Sequence, residues 1–189
     1  VVVIGGGPSG ATAAHDLSAQ GINVALIDRC ERIKPCGGAI PPKLIADFDI
    51  PDSQLLAKIK TARMVSPTDR RVDIPIENGF VGMVDRKYFD EFLRERAAQS
   101  GATRITGTFL RVDRSGPTPV IIYKDRQSGK QERLPTKLII GADGARSSVA
   151  QAEITGGGVT PYVMAYHEII ETPEHGTADY HPLRCDVIY

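Results

Sequence analysis

Four residues near the start of the chain have the types and the spacing to hold a nucleotide. Val1-Val2-Val3-Ile4 runs straight into Gly5-Gly6-Gly7-Pro8-Ser9-Gly10, a G-x-G-x-x-G, and Asp28 follows eighteen residues after Gly10. In a β-α-β unit each glycine has its own task. Gly5 permits the tight turn out of the strand, Gly7 lets a pyrophosphate approach the backbone, and Gly10 lets the helix pack close to the sheet. The helix start offers free N–H groups and a partial positive charge to the phosphates. Asp28 stands where a carboxylate can take both ribose hydroxyls of an adenosine, so it favours a free 2′-hydroxyl and repels a 2′-phosphate. Alone, a G-x-G-x-x-G is weak evidence; a strand before it, a helix after it and an acid at this distance make it strong.

Three further groups of residues could do chemistry. Pro35-Cys36-Gly37-Gly38 lies just beyond the carboxyl end of the second strand, the edge where ligands bind in open α/β sheets. Two glycines there would let the backbone lie against a flat ring, and the other reading is a plain turn. Cys36 is the only titratable residue of Pro35 to Gly38 and is the candidate for shaping or protonating a site there; a small packing residue is at least as good a reading. Arg86, after Asp85, falls in the first turn of a helix, where a cation opposes the helix dipole. An external anion such as a phosphate would explain it, although in isolation a solvated surface arginine is the stronger reading. The third group is Gly141-Ala142-Asp143-Gly144, which ends another apolar strand about 115 residues after Asp28.

The elements that must position these residues can be read from periodicity. Residues 11–20 are Ala-rich and helix-forming, and 22–27 are a second β run. Residues 29–42 hold three prolines and two adjacent glycines, so they are neither helix nor central strand. A short helix is expected over 42–48, with proline at its start, and another over 51–58. Strands are expected over 60–65, 71–76 and 80–84. Asp85 caps a helix whose apolar face is 89, 92, 93 and 97, ended by Gly101. Residues 103–112, 120–124 and 131–134 read as a three-stranded meander, and 137–140 as a buried strand leading to a helix near Arg146 or Ser147. A long strand is expected over 162–170, in a second domain, and Asp186 to Tyr189 reads as another strand beginning.

Composition narrows the class. The chain has 189 residues, 41% hydrophobic and 24% charged, with zero formal net charge. That is ordinary globular material and argues against a nucleic-acid partner. No run of eighteen apolar residues exists, and no signal peptide is recognisable. Cys30, Cys36 and Cys185 are odd in number and lack metal-ligand spacing, which points to a reducing compartment, no disulfide framework and no metal. His15 is expected to be exposed, and His167, His175 and His181 form no metal set. The chain opens without methionine, so it reads as a piece of a longer protein.

Taken together, Gly5 to Gly10, Asp28, Arg86 and Ala142-Asp143-Gly144 resemble the flavoprotein monooxygenase and reductase superfamily with the p-hydroxybenzoate hydroxylase fold. Within it, Lys34-Pro35-Cys36-Gly37-Gly38-Ala39-Ile40-Pro41 is similar to the geranylgeranyl reductases. Phe48-Asp49-Ile50-Pro51, Ala62 to Pro67, Gly79 to Arg86 and Ala165 to Ile170 are similar to their bacteriochlorophyll branch. The resemblance implies an α/β, Rossmann-like FAD-binding domain over 1–58 and 85–152. An antiparallel-sheet substrate domain over 59–84 and 153–189 would be incomplete. It implies FAD and NADPH as cofactors, and reduction of geranylgeranyl double bonds to phytyl on the diphosphate or on a bacteriochlorophyll ester. Gly5, Gly7, Gly10 and Asp28 would hold the ADP half of FAD, and Cys36 and Gly37 would line the isoalloxazine. Arg86 would reach the phosphate or ribityl region, and Asp143 would belong to a motif serving both FAD and NADPH. The apolar run Ile74, Ile76, Phe80, Val81 and Met83 fits a tunnel lining or plain core packing. A flavin-dependent aromatic hydroxylase is the alternative enzyme, and a non-catalytic nucleotide-binding module the alternative class. The expected location is cytoplasmic, with any association with a photosynthetic membrane peripheral.

Overall fold

The computed structural model describes residues 1–30, 33–77, 79–161, 163–168, 170–171 and 179–189. In chain order, β1 (Val2–Ile4) leads into α1 (Pro8–Ala19) and β2 (Ala25–Asp28). Then come β3 (Ala39–Ile40), α2 (Pro42–Asp47), a 3-10 turn (Asp52–Gln54), β4 (Ala57–Ile59), β5 (Thr61–Val65), β6 (Arg71–Pro75) and β7 (Val81–Met83). The helix α3 (Arg86–Gln99) is followed by β8 (Thr103–Asp113), β9 (Val120–Asp125), β10 (Gln131–Pro135), β11 (Ile139–Gly141), α4 (Ser148–Glu153) and β12 (Arg184–Ile188). The chain forms two compact units: Val1–Ile33 with Asp90–Met164, and Lys34–Phe89 with Ala165–Tyr189.

The first unit is built on a six-stranded sheet in the order β10-β9-β8-β2-β1-β11. β1 pairs in parallel with β2 on one side and β11 on the other, which makes the end of β1 a switch point of the sheet. β1 is buried along its whole length, as a β-branched run flanked on both sides must be. β8 serves two partners. Its first residues run parallel to β2, with Asp28 opposite Thr106, and from Gly107 it pairs antiparallel with β9. A register shift between Phe109 and Arg111 accompanies the change. The core joins Val2, Ile4 and Ile27 to Ile121 of the meander and Val149 of α4.

Helix α1 begins inside the glycine loop, earlier than residue 11, because Pro8 at its first turn loses no hydrogen bond there. Ala11 and Ala14 are fully buried, and small side chains permit that approach. Gly10 shows why the approach is close: a Cβ on it would overlap the Gly5 carbonyl oxygen. Gly5 has φ +102°, and a Cβ there would overlap Ala142. His15 is half-buried rather than exposed, with Nδ1 2.8 Å from Ser100 Oγ.

The second unit holds two three-stranded sheets, β12-β5-β6 and β3-β7-β4. β7 is the centre of the latter, and buried Gly82 leaves room for Ile40, Ile45 and Leu55. In the former, Arg63 and Asp73 lie directly opposite across β5 and β6 and join through two hydrogen bonds of 2.6 and 2.8 Å. Asp85 caps α3, its carboxylate accepting the Lys87 N–H at 2.8 Å, and Phe89, Leu93 and Ala97 are the buried face.

Two expected elements do not form. Residues 51–58 give only the 3-10 turn before β4, because pairing with β7 draws 57–59 into the sheet. No strand forms over the described part of 162–170, where Val163, Met164, Tyr166 and Ile170 are 80% or more exposed. Apolar alternation makes a strand only where a partner edge is offered, and the edge of β5 is taken by Arg184–Ile188. Of the candidate lining, Ile74 is exposed on β6.

Gly10→Ala should lower stability by at least about 2 kcal/mol, since the added methyl has no space and meets backbone. Gly7→Ala, where a Cβ meets nothing within 4 Å, should leave folding unchanged. Thermal melting of the two variants without cofactor checks the contrast.

Candidate functional site

The loop between β1 and α1 is held by both its neighbours. Gly5 N–H donates to Ile27 O at 2.8 Å, and Ala142 N–H donates to Ile4 O at 2.7 Å. Gly6 N–H donates to Asp28 Oδ2 at 2.6 Å, and Cys30 N–H donates to Asp28 Oδ1 at 2.8 Å. The Cys30 thiol also bonds to this carboxylate, and of its four acceptor sites one remains. The first N–H groups of a helix have no intrahelical partner, and α1 has no side-chain cap at Gly7. A cleft opens at the carboxyl ends of β1 and β2, lined by Gly5, Asp28, Arg29, Gly107, Thr108 and Asp143. The cleft holds the Asp28 carboxylate, and the uncapped start of α1 follows Gly5 by three residues; a carboxylate and a helix N-terminus so placed suit a phosphate-linked nucleoside.

Asp143 reaches this cleft but uses its carboxylate on its own loop. Oδ1 accepts from the Ser147 hydroxyl, and Oδ2 accepts the N–H groups of Ser148 at 2.7 Å and Val149 at 3.2 Å. Ser147 in turn caps α4 by accepting from Ala150 N–H. Asp143 therefore fixes the turn that follows β11.

Cys36, Gly37 and Arg86 belong to the second unit. Gly38 adopts φ +76° and its carbonyl accepts the Val84 N–H at 2.9 Å, which ties the Pro35–Gly38 loop to the end of β7. Cys36 is exposed, and Arg86 is half-buried. A backbone hydrogen bond with Gly38 holds the Cys36 thiol below the ordinary thiol range; Arg86, by hydrogen bond and charge, acts in the same direction against partial desolvation. Cys30 is shifted the other way, by desolvation of its thiol and by the neighbouring Asp28 carboxylate, although the residue is exposed overall.

Sequence reasoning missed Arg94. Its side chain is 13% exposed, and Nη1 donates to Gly6 O at 3.1 Å. A second contact places Nη1 3.8 Å from Asp28 Oδ1. Its Nε donates to Glu91 at 3.0 Å, and Glu91 also accepts from Arg104 of β8 at 2.8 Å. Burial alone would raise the Glu91 carboxyl, but these two arginines hold it below the usual carboxylate range. Nothing in the spacing of residues 86–99 marks Arg94 out, since apart from Glu91 its contacts are with Gly6, 88 positions away, and with Asp28.

Residues 1–179 match the family model described as pyridine nucleotide-disulphide oxidoreductase. The chain belongs to that family. Among the chain's curated relatives, a geranylgeranyl diphosphate reductase of Rhodobacter capsulatus is 57% identical over 99% of the chain and 47% of the relative. The chloroplastic geranylgeranyl diphosphate reductase of Arabidopsis thaliana is 38% identical over 97% of the chain and 41% of the relative. The chain thus spans about half the length of the curated relatives it matches. Its fold is shared with a geranylgeranyl bacteriochlorophyll reductase-like protein of Thermoplasma acidophilum, at TM-score 0.77 and 20% identity over 100% of the chain and 49% of that protein. It is also shared with a flavin-dependent brominase, at TM-score 0.67 and 19% identity over 81% of the chain and 40% of that protein. The ADP half of FAD fits the residues present: Gly7 is open, the start of α1 is uncapped by any side chain, and Asp28 stands at the end of β2.

In the protein that carries this chain, Asp28→Ala should weaken FAD by roughly 1–3 kcal/mol for lost charge-assisted hydrogen bonds. Flavin fluorescence during titration of the apoprotein measures this, and unchanged affinity would remove Asp28 from the site. The two exposed thiols give an independent check. Iodoacetamide reacts with the thiolate, so labelling of Cys36 should rise at lower pH than that of an ordinary thiol and labelling of Cys30 at higher pH. Peptide mapping from neutral to alkaline pH reads both, and a common midpoint would contradict the assigned surroundings.

Proposed function

We propose that this chain is the cofactor-binding part of a flavoprotein that reduces geranylgeranyl double bonds to give phytyl, with NADPH as the electron source. The observation that carries the reading is the 57% identity to the Rhodobacter capsulatus geranylgeranyl diphosphate reductase over nearly the whole chain. It stands on a dinucleotide loop whose Gly6–Asp28 bond is in place. The substrate is the free diphosphate or the bacteriochlorophyll ester.

Bound FAD would take electrons from NADPH and supply hydride to the alkene, the part of the reaction no amino-acid side chain performs. The chain's own residues bind and orient. Gly5, Gly7 and Gly10 shape the loop for the diphosphate, and Asp28 takes the adenosine ribose. Asp143 keeps the turn after β11 in shape beside the cleft. Cys36 and Gly37 are assigned to the isoalloxazine side, and Arg86 to the phosphate or ribityl region. Saturating an isolated alkene needs a proton as well as a hydride, and Cys36 is the assigned proton donor. Gly38, through its backbone, and Arg86 to a smaller degree stabilise the thiolate that remains after transfer. A donor must be protonated, so turnover limited by this step would fall as pH rises through a thiol pKa that lies below the ordinary range. Among the described residues no helix is long and apolar enough to cross a membrane. A cytoplasmic protein resting peripherally on the photosynthetic membrane suits a substrate with a long apolar tail.

The protein that carries this chain, given NADPH and geranylgeranyl diphosphate, should add hydrogen stepwise, with partly reduced intermediates visible by mass spectrometry. Cys36→Ala should retain FAD and slow flavin reoxidation by the substrate in stopped flow. Turnover that consumes oxygen and adds an oxygen atom to a phenol, with no alkene reduction, would replace this reading with the aromatic hydroxylase.

A further inference from the structure

Both backbone groups of Gly6 are held by side chains. Its N–H donates to Asp28, and its C=O accepts from Arg94 Nη1 at 3.1 Å. The residue is wedged between those side chains: a Cβ on it would lie 2.8 Å from Asp28 Cβ and 3.0 Å from Arg94 Cδ. The Gly6 carbonyl and the Gly7 N–H belong to one planar trans peptide, in which they point in opposite directions. Fixing the carbonyl on Arg94 therefore turns the Gly7 N–H away from α3. A cation donating to the carbonyl also polarises the peptide and strengthens the same N–H as a donor. Gly7 is itself open, with nothing within 4 Å of a Cβ position. Arg94 can do this because it is anchored: Glu91 takes its Nε and Nη2, and Arg104 of β8 holds Glu91 from the far side.

We infer that Arg94 is a positioning residue for the diphosphate of the bound dinucleotide. It sets the direction and donor strength of the Gly7 N–H without touching the ligand. The inference rests on the dinucleotide reading of the loop. It separates two tasks within the cleft: Asp28 reads the ribose, and Arg94, through one peptide, serves the diphosphate. Arg94 Nη1 lies 3.8 Å from Asp28 Oδ1, beyond hydrogen-bond reach, so Asp28 keeps its bonds from Gly6 and Cys30 when Arg94 is replaced and the ribose contact survives.

The test compares ADP with adenosine by calorimetric titration of the FAD-free protein. Arg94→Met should weaken ADP by about tenfold and leave adenosine within about twofold, the size of one charge-assisted hydrogen bond in the first case and none in the second. Arg94→Lys, which keeps the cation, should recover part of the ADP affinity. Glu91→Gln, which keeps the guanidinium but loosens its anchor, should give a smaller loss confined to ADP; it serves where Arg94→Met does not fold. Equal weakening of ADP and adenosine would make Arg94 a general support of the fold and overturn the inference. So would unchanged ADP affinity in all three variants. A parent protein that binds neither FAD nor ADP would overturn the dinucleotide reading itself, an outcome distinct from a parent that binds and variants that match it.

Discussion

The Asp28 carboxylate accepts the Gly6 N–H at 2.6 Å and the Cys30 N–H at 2.8 Å, and the site depends on that pair of bonds. One side chain joins the glycine loop to the end of β2 and to the start of the segment that leaves it. A carboxylate in this position both shapes the loop and faces the cleft, so the group proposed to take the ribose also builds the surface around it. Charge makes the arrangement hold: hydrogen bonds to an ionised acceptor are about twice as strong as neutral ones. The geometry leaves little tolerance, because Gly6 has no space for a side chain between Asp28 and Arg94.

The sheet supplies the rigidity that this pair requires. β1 is paired on both edges and fully buried, so the loop leaves a fixed point. β8 ties the parallel part to the meander by changing partners at Gly107, and the same stretch forms a wall of the cleft. On the other side, Asp143 turns the chain after β11 by accepting from Ser147, Ser148 and Val149, and Val149 returns the turn to the core shared by Val2 and Ile27. The acid fixes that turn and also lines the cleft.

Local signals in the sequence were enough for the β-α-β unit, the meander and the Asp85-capped helix. Each is written in adjacent residues: glycines for the turn, alternation for the strands, an acid before the helix. What the sequence leaves hidden depends on partners distant in the chain. Arg94 meets Gly6 across 88 positions, and β5 pairs with Arg184–Ile188 rather than with the apolar stretch near 166. Residues 57–59 carry no strong strand signal and become one because β7 offers an edge. The thiol of Cys36 could be picked out as reactive by type, but the direction of its shift needs Gly38 and Arg86 in place around it.

The Gly5–Gly10 loop and Asp28 are proposed to form a dinucleotide site in which each group has a separate ligand atom to hold. A crystal structure of the protein that carries this chain, with FAD bound, addresses it most directly. Such a structure should show the adenosine ribose hydroxyls on Asp28, the diphosphate at the start of α1 with the Gly7 N–H donating to it, and the Gly6 carbonyl still on Arg94. Adenosine bound away from Asp28, or a diphosphate held by side chains with the Gly7 N–H turned from it, would contradict the account.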